Sequence, residues 1–352
     1  MPALTTKSAL LAAVAAAVLA LAGCATGGQG VDAPSGPGAP LKVRFGGLPG
    51  ASTDVPILVA ERQGFLAEQG ISLDKIQLTQ SNAVASALSS GQVDLVPSTV
   101  QSMAVTRAKG ADVVGISAIY PQSTLELVAK DPAVPVVGVN GATWQDTIRS
   151  LDGAAIGGGA KGGTADLQLG YLFEQAGLRP DAFSIINAGK GATEIAALQS
   201  GQVRANLSTS LVAELGRATG QSRTVMSMSR GAPAAIADQA YMGWWSTGRF
   251  LEAHPDFTKR FRAAMDKALQ FMREPANLDV VVASATDYKV VSQIDAAQAR
   301  DVLTAEVQQY GLTFAPGQMQ ATIDFVGRLG LFDGAQAVRA EDLVVPAAVA
   351  SP

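Results

Sequence analysis

The 352-residue chain holds one cysteine, Cys24, and one histidine, His254. A single cysteine excludes an internal disulfide framework. One histidine beside one cysteine excludes a Cys/His zinc site and leaves His254 as the sole candidate for a histidine-based triad. His254 precedes Pro255 and Asp256 at a helix start, a pattern that reads as a surface position rather than a catalytic one. Charge is also scarce, at 16% of residues, against roughly 25% in ordinary globular proteins. The balance is slightly acidic, Lys+Arg 26 against Asp+Glu 30. No basic field therefore points to a nucleic-acid partner. Beyond the N-terminal region no uninterrupted apolar run approaches the roughly 18 residues of a membrane span. What the chain does have is apolar content, 48%, enough to exclude disorder for most of it. Its length suits two domains, each with its own core.

Residues 1–23 read as a signal peptide, with Lys7 followed by an uncharged apolar run from Ser8 to Leu21. The run ends in Leu21-Ala22-Gly23-Cys24, which matches the bacterial lipobox, so Cys24 is the expected lipidation site. The plainer alternative is an ordinary secretory signal with a chance cysteine. Residues 24–40 are dominated by Gly, Pro, Ala and Ser and read as a flexible tether. The expected product is exported and lipid-anchored, at the periplasm or the outer face of the cell membrane.

From Leu41 the pattern alternates strands with helices. Leu41–Phe45 reads as a strand and runs into a Gly/Pro turn. Thr53 or Asp54 then offers a cap for a helix that stops near Gly64. Ser81 or Asn82 caps a further helix, and Val93–Pro97 and Val113–Ile119 read as strands. This is an α/β body with mostly parallel pairing.

A self-comparison says more. Ala87-Leu88-Ser89-Ser90-Gly91-Gln92-Val93 recurs as Ala197-Leu198-Gln199-Ser200-Gly201-Gln202-Val203, an offset of 110. In the same register Ser98-Thr99 returns as Ser208-Thr209, and Arg107, Ala108 and Gly110 return as Arg217, Ala218 and Gly220. A period this long means two related lobes rather than a solenoid. Two such lobes turn helix N-termini toward a shared cleft, where unpaired N–H groups and partial positive charge suit an oxygen-rich ligand. The candidate ligand-binding residues are Ser52, Thr53, Ser81, Asn82, Ser98 and Thr99 in lobe one. In lobe two they are Lys161, Gly163, Thr164, Thr193 and Ser208. Each hydroxyl has the bland alternative of an ordinary helix cap. Among the aromatics, Tyr241-Met242-Gly243-Trp244-Trp245 is the one dense cluster. Core packing of both tryptophans is the plain reading, and Trp244 is the candidate if one of them faces the ligand.

The order of motifs resembles a known family: substrate-binding proteins of ABC importers for nitrate, sulfonates and taurine, with relatives that bind pyrimidine precursors of thiamine. The matching stretches are Asp54–Glu61 with Gly64-Phe65-Leu66 and Glu68-Gln69-Gly70-Ile71, then Ala87-Leu88 with Ser90-Gly91-Gln92-Val93-Asp94. Ser150-Leu151-Asp152-Gly153 with Ala155-Ile156-Gly157 and His254-Pro255-Asp256 continue the likeness, which runs from about Leu41 to Val345. The chain departs from the family at Val203-Arg204-Ala205, where Val-Asp-Ala is usual, and it lacks the cysteine-rich signature of the pyrimidine group. The resemblance implies a two-lobed, type II-like periplasmic-binding-protein fold with a ligand cleft between the lobes. Lobe one would be 41–125 plus 246–345, and lobe two 126–245. It further implies a monomer with no cofactor and no chemistry, which closes on a small oxyanion or, alternatively, a neutral pyrimidine or aromatic solute. Its partners would be an ABC permease and ATPase.

Several motifs compete with this reading. Gly157-Gly158-Gly159-Ala160-Lys161-Gly162 satisfies G-x-G-x-x-G of dinucleotide (nicotinamide cofactor) sites, with Asp181 about 20 residues on, but makes more sense as a backbone nest in a glycine-rich chain. Ser72-Leu73-Asp74-Lys75 fits S-x-x-K of penicillin-recognising serine enzymes, yet lies in a predicted strand and lacks the partner motifs. Gly189-Lys190-Gly191 is no Walker A, because no Ser or Thr follows the lysine.

Overall fold

The strand patterns between Leu41 and Ser246 assemble into two sheets of one design. In the computed structural model, residues 39–78, 83–189, 191–332 and 338–349 are described. The expected lipidation site Cys24 and the candidates Ser81 and Asn82 lie outside them. These described residues form one compact unit.

In the first sheet, β1 (Leu41–Gly47) pairs in parallel with β2 (Ile71–Gln77). On its other side a parallel bridge from Phe45 to Leu95 joins it to β3 (Val96–Thr99), with the Gly46 amide donating to the Leu95 carbonyl at 2.9 Å. β10 (Met242–Ser246) then lies antiparallel between β3 and β4 (Val114–Tyr120). The order is β2-β1-β3-β10-β4. The second sheet comprises β5 (Leu125–Ala129), β6 (Ala155–Gly157), β7 (Ser184–Ile186), β8 (Ala205–Thr209) and β9 (Arg223–Ser227), in the order β7-β6-β8-β5-β9. Here β5 is antiparallel to both neighbours, as β10 is in the first sheet. Each β1/β6, β2/β7, β3/β8 and β4/β9 pair occupies the same place, which is the physical content of the sequence repeat.

The two odd strands make the connection. After β4 the chain leaves the first sheet and enters the second as β5; after β9 it returns as β10. The return comes at Met242, four residues ahead of the 246 expected from sequence. Strand ends also differ from expectation. The run Val93–Pro97 pairs from Leu95, through the bridge to Phe45, and continues as a strand from Val96; ahead of it Asp94 holds Arg44 through paired bonds that include 2.9 Å from Nε.

Helices follow the strands in register: Val55–Arg62 after β1, Ala83–Ser89 after β2, Val100–Ala108 after β3, then Thr164–Gln175, Ala192–Gln199 and Ser210–Ala218 after β6, β7 and β8. The first stops where expected, at Gly64, whose φ of 76° is the left-handed region that glycine enters without strain. Helix Phe257–Arg273 buries Phe257, Phe261, Ala264, Met265, Ala268, Leu269 and Met272, one helical stripe, against the first sheet's helix Val55–Arg62. Helix Ala296–Glu306 lies beyond the strands, in the C-terminal region. It packs against both Leu278–Asp287 and the second-lobe helix Ser210–Ala218, so the C-terminal region reaches across the molecule.

Both tryptophans of β10 belong to the core. Adjacent strand residues face opposite sides, but both faces are covered. Trp244 sits between Phe45 and Phe261, with ring centroids 5.8 Å from each. Trp245 is fully buried on the other face and donates its indole N–H to the Ser98 carbonyl at 3.0 Å. Trp244 is therefore corrected to a core residue, since a fully covered sheet leaves its ring no cleft surface. Among the described residues no helix is long and apolar enough to cross a membrane.

Candidate functional site

The loops after β3 and β6 meet between the two sheets, and two of the polar candidates lie there. Thr99 ends β3 and caps helix Val100–Ala108, its Oγ1 accepting from the Ser102 amide at 3.2 Å. Thr164 opens helix Thr164–Gln175 of the second lobe and donates its hydroxyl to Thr99 Oγ1 at 3.1 Å. Two sequence candidates, one per lobe, thus touch across the cleft. The seam continues in amides, from Gln101 two residues beyond Thr99 and Gln168 four residues beyond Thr164. Gln101 donates from Nε2 to Gln239 Oε1 at 2.6 Å, and Gln168 reaches the same oxygen at 3.5 Å. All three side chains are buried.

A second polar cluster centres on Glu306, at the end of helix Ala296–Glu306. Its carboxylate accepts from the Tyr120 hydroxyl at the end of β4 and from Ser210 Oγ, 2.8 Å away, at the first turn of a second-lobe helix. Tyr120 Oη is also hydrogen-bonded to Ser52 Oγ at 2.9 Å, and the stacked Tyr310 donates to the Ser52 carbonyl at 2.8 Å. With the carboxyl desolvated, Glu306 is held above the usual carboxylate range, partly offset by these donors. Burial and the neighbouring Glu306 push the Tyr120 and Tyr310 hydroxyls up as well. Sequence reading selected Ser52 but missed Glu306, Tyr120 and Tyr310. No local motif marks them, since they converge from segments far apart in the chain.

Thr53 serves the Asp54 carboxylate. Its hydroxyl donates to Asp54 at 3.0 Å, and Asp54, fully buried, also accepts the Leu48 amide at 2.9 Å. Asp54 therefore fixes the loop after β1 and makes no side-chain cap to the helix that follows, the role the sequence suggested. Ser208 donates to the Glu194 carboxylate, inside the second lobe. Thr193 is exposed beside Gly189, and Ser98 is half-buried with its carbonyl used by Trp245.

The glycine loop before Thr164 departs from the expected nest. The Gly162 amide donates to the Asp166 carboxylate at 2.7 Å and the Gly163 amide to the Ala160 carbonyl at 3.1 Å, so both have internal partners. Lys161 is exposed. The serine-enzyme reading fails geometrically. Ser72 and Lys75 are three apart on β2 and so point to opposite faces, and Lys75 pairs with Glu61 at 2.6 Å. Among the described residues the buried charged side chains, Asp54, Asp94, Glu126 and Glu306, are all acidic. No group of three or more potential metal ligands occurs among them.

Residues 52–277 match the model of the NMT1/THI5-like family. The chain belongs to this family. Among solved structures it is similar to the alkanesulfonate-binding protein SsuA from Xanthomonas axonopodis pv. citri bound to MOPS, at 17% identity and a TM-score of 0.65, covering 88% of this chain and 98% of that one. It also resembles the periplasmic nitrate-binding protein NrtA from Synechocystis PCC 6803, at 13% identity and a TM-score of 0.54, covering 70% and 65%. The 4-amino-5-hydroxymethyl-2-methylpyrimidine phosphate synthase THI5 of Saccharomyces cerevisiae is 22% identical over 135 residues, 38% of this chain and 36% of that protein. The match thus spans about a third of the length of these curated relatives. The fold of this NMT1/THI5-like member is the two-lobed α/β fold of periplasmic binding proteins, as the resemblance implied.

Proposed function

We propose that this family member is the extracytoplasmic solute-binding component of an ABC importer, lipid-anchored through Cys24, which captures a small solute between its lobes and performs no chemistry. The observation that carries this reading is the seam itself. Two lobes of one topology are joined by two crossings, and their helix N-termini meet through Thr164 and Thr99 at 3.1 Å. A solute that enters there touches both lobes only when they close, so binding shifts the population toward the closed form.

Two ligand classes are supported by different observations. The sulfonate- and nitrate-binding neighbours support a small oxyanion held by hydroxyls and helix N-termini: Ser98, Thr99, Thr164, Thr193 and Ser208. The second class is a neutral amino-heterocycle, favoured by the acidic character of the buried charge and by the family match. Thermal-shift measurements on the whole chain with an alkanesulfonate, nitrate and 4-amino-5-hydroxymethyl-2-methylpyrimidine test both. A solute at 100 times its dissociation constant adds about 2.7 kcal/mol, a visible rise in midpoint. No shift with any of the three, together with turnover of an acyl substrate, would overturn the binding reading.

A further inference from the structure

The seam between the lobes leaves a specific deficit. Gln101 lies on the first-lobe helix Val100–Ala108, Gln168 on the second-lobe helix Thr164–Gln175, and Gln239 on the segment that returns to the first sheet. The Gln101 and Gln168 amide nitrogens converge on one acceptor, Gln239 Oε1, and Gln239 in turn donates to the Ala235 carbonyl at 2.5 Å. This arrangement uses the donors and leaves the acceptors over. Gln101 Oε1 and Gln168 Oε1 are both sealed from solvent and have no hydrogen-bond partner among the described residues.

A buried carbonyl without a donor costs about 1–3 kcal/mol. The seam holds two, contributed by opposite lobes, next to the point where the helix N-termini meet. Apolar side chains of the same length would fill the space without that cost. The deficit has a direction: it calls for N–H donors, and it calls for them from something that lies between the lobes.

We propose that Gln101 and Gln168 form a paired acceptor subsite for an N–H₂ group of the solute, one oxygen from each lobe. This rests on the solute-binding reading and specifies what the solute must present: a primary amide, an amidine or an amino-heterocycle. Because the oxygens are sealed while the lobes touch, the subsite opens when they part and is completed when they close over the solute. Closing empty leaves both oxygens unpartnered, so the same two residues disfavour the closed form until the solute is in place. Recognition and closure are thereby coupled through the seam.

The test uses two isosteric probes, 4-amino-2-methylpyrimidine and 2,4-dimethylpyrimidine, in which NH₂ is exchanged for CH₃. Calorimetric titration of the wild-type chain is expected to favour the amino probe by about tenfold or more, the worth of one neutral hydrogen bond. Gln101→Met and Gln168→Met are each expected to erase that preference. Equal binding of the two probes, or a preference that survives both substitutions, overturns the subsite. Binding of neither probe also overturns it, and an alkanesulfonate or nitrate that binds in the same chain then leaves the solute-binding reading standing. Should a variant fail to fold, the side-chain carbonyl ¹³C resonances of Gln101 and Gln168 in the wild-type chain decide. They are expected to move with the amino probe and not with its methyl twin, and unmoved resonances overturn the proposal.

Discussion

Thr164 donates its hydroxyl to Thr99 across the cleft at 3.1 Å, and Thr99 at the same time caps its own helix through the Ser102 amide at 3.2 Å. The two residues therefore differ in what their loss removes. Thr164→Val deletes only the crossing bond, whereas Thr99→Val deletes the crossing bond and a helix cap. Thr99→Val is expected to lower global stability by about 1 kcal/mol, the usual worth of a cap, and Thr164→Val by less. A double-mutant cycle on closure or solute affinity is expected to show coupling of about 0.5 kcal/mol or more, as for residues in direct contact. Strict additivity in denaturant unfolding and titration would show that the bond contributes nothing to closure.

Trp244 packs between Phe45 and Phe261, which makes its substitution a test of core against cleft. Trp244→Ala is expected to cost about 3–5 kcal/mol, as for large aromatic truncations in a core. Trp244→Phe, still aromatic, is expected to leave solute affinity unchanged. A loss of affinity in a Trp244→Phe chain with unchanged melting would return this residue to the binding site.

Glu126 gives a pH signature. Burial raises its carboxyl from 4.5 to about 7, against the opposing pull of Ser227 and Arg230. The folded chain thus holds this proton more tightly than the unfolded chain. Its contribution is fully present below the unfolded value and is lost as pH rises toward about 7. Glu126→Gln is expected to flatten the fall in melting temperature between pH 4.5 and 7. An unchanged slope would mean that the carboxyl titrates as it does in the unfolded chain.

Gly157 tests why a glycine-rich loop stands where a dinucleotide motif was matched. A Cβ at Gly157 would fall 1.6 Å from Asn206 Oδ1, in a residue that donates to the Glu194 carbonyl at 2.5 Å. Gly157→Ala is expected to destabilise the chain by about 1–3 kcal/mol through overpacking. The corresponding check is chemical unfolding with and without NAD, with no added stability from the nucleotide. Stabilisation by NAD would revive the cofactor reading.

Much of the architecture was legible because repeats are local text. The Ala87–Val93 segment and its copy at Ala197–Val203 announced two lobes, and the strand orders of the sheets express that repeat. Thr99 and Thr164 were legible as helix-start hydroxyls, a pattern confined to a few consecutive residues. Glu306, Tyr120 and Tyr310 were not, because their significance lies in convergence on Ser52 and Ser210 from distant segments. The place of Trp244 could not be read from alternation, which says that neighbours face opposite sides but not whether both sides are covered. Gln101, Gln168 and Gln239 escaped for a related reason. A glutamine in a helix reads as solvated until packing seals it.

If the lobes close on a small solute, isothermal titration of the whole chain with the sulfonate, nitrate and aminopyrimidine panel detects that closure. Saturable binding of one class is expected, one solute per chain, with a negative heat-capacity change as surface is buried between the lobes. Absence of saturable heat with every member of the panel, alongside turnover of an acyl substrate by the same preparation, would contradict it.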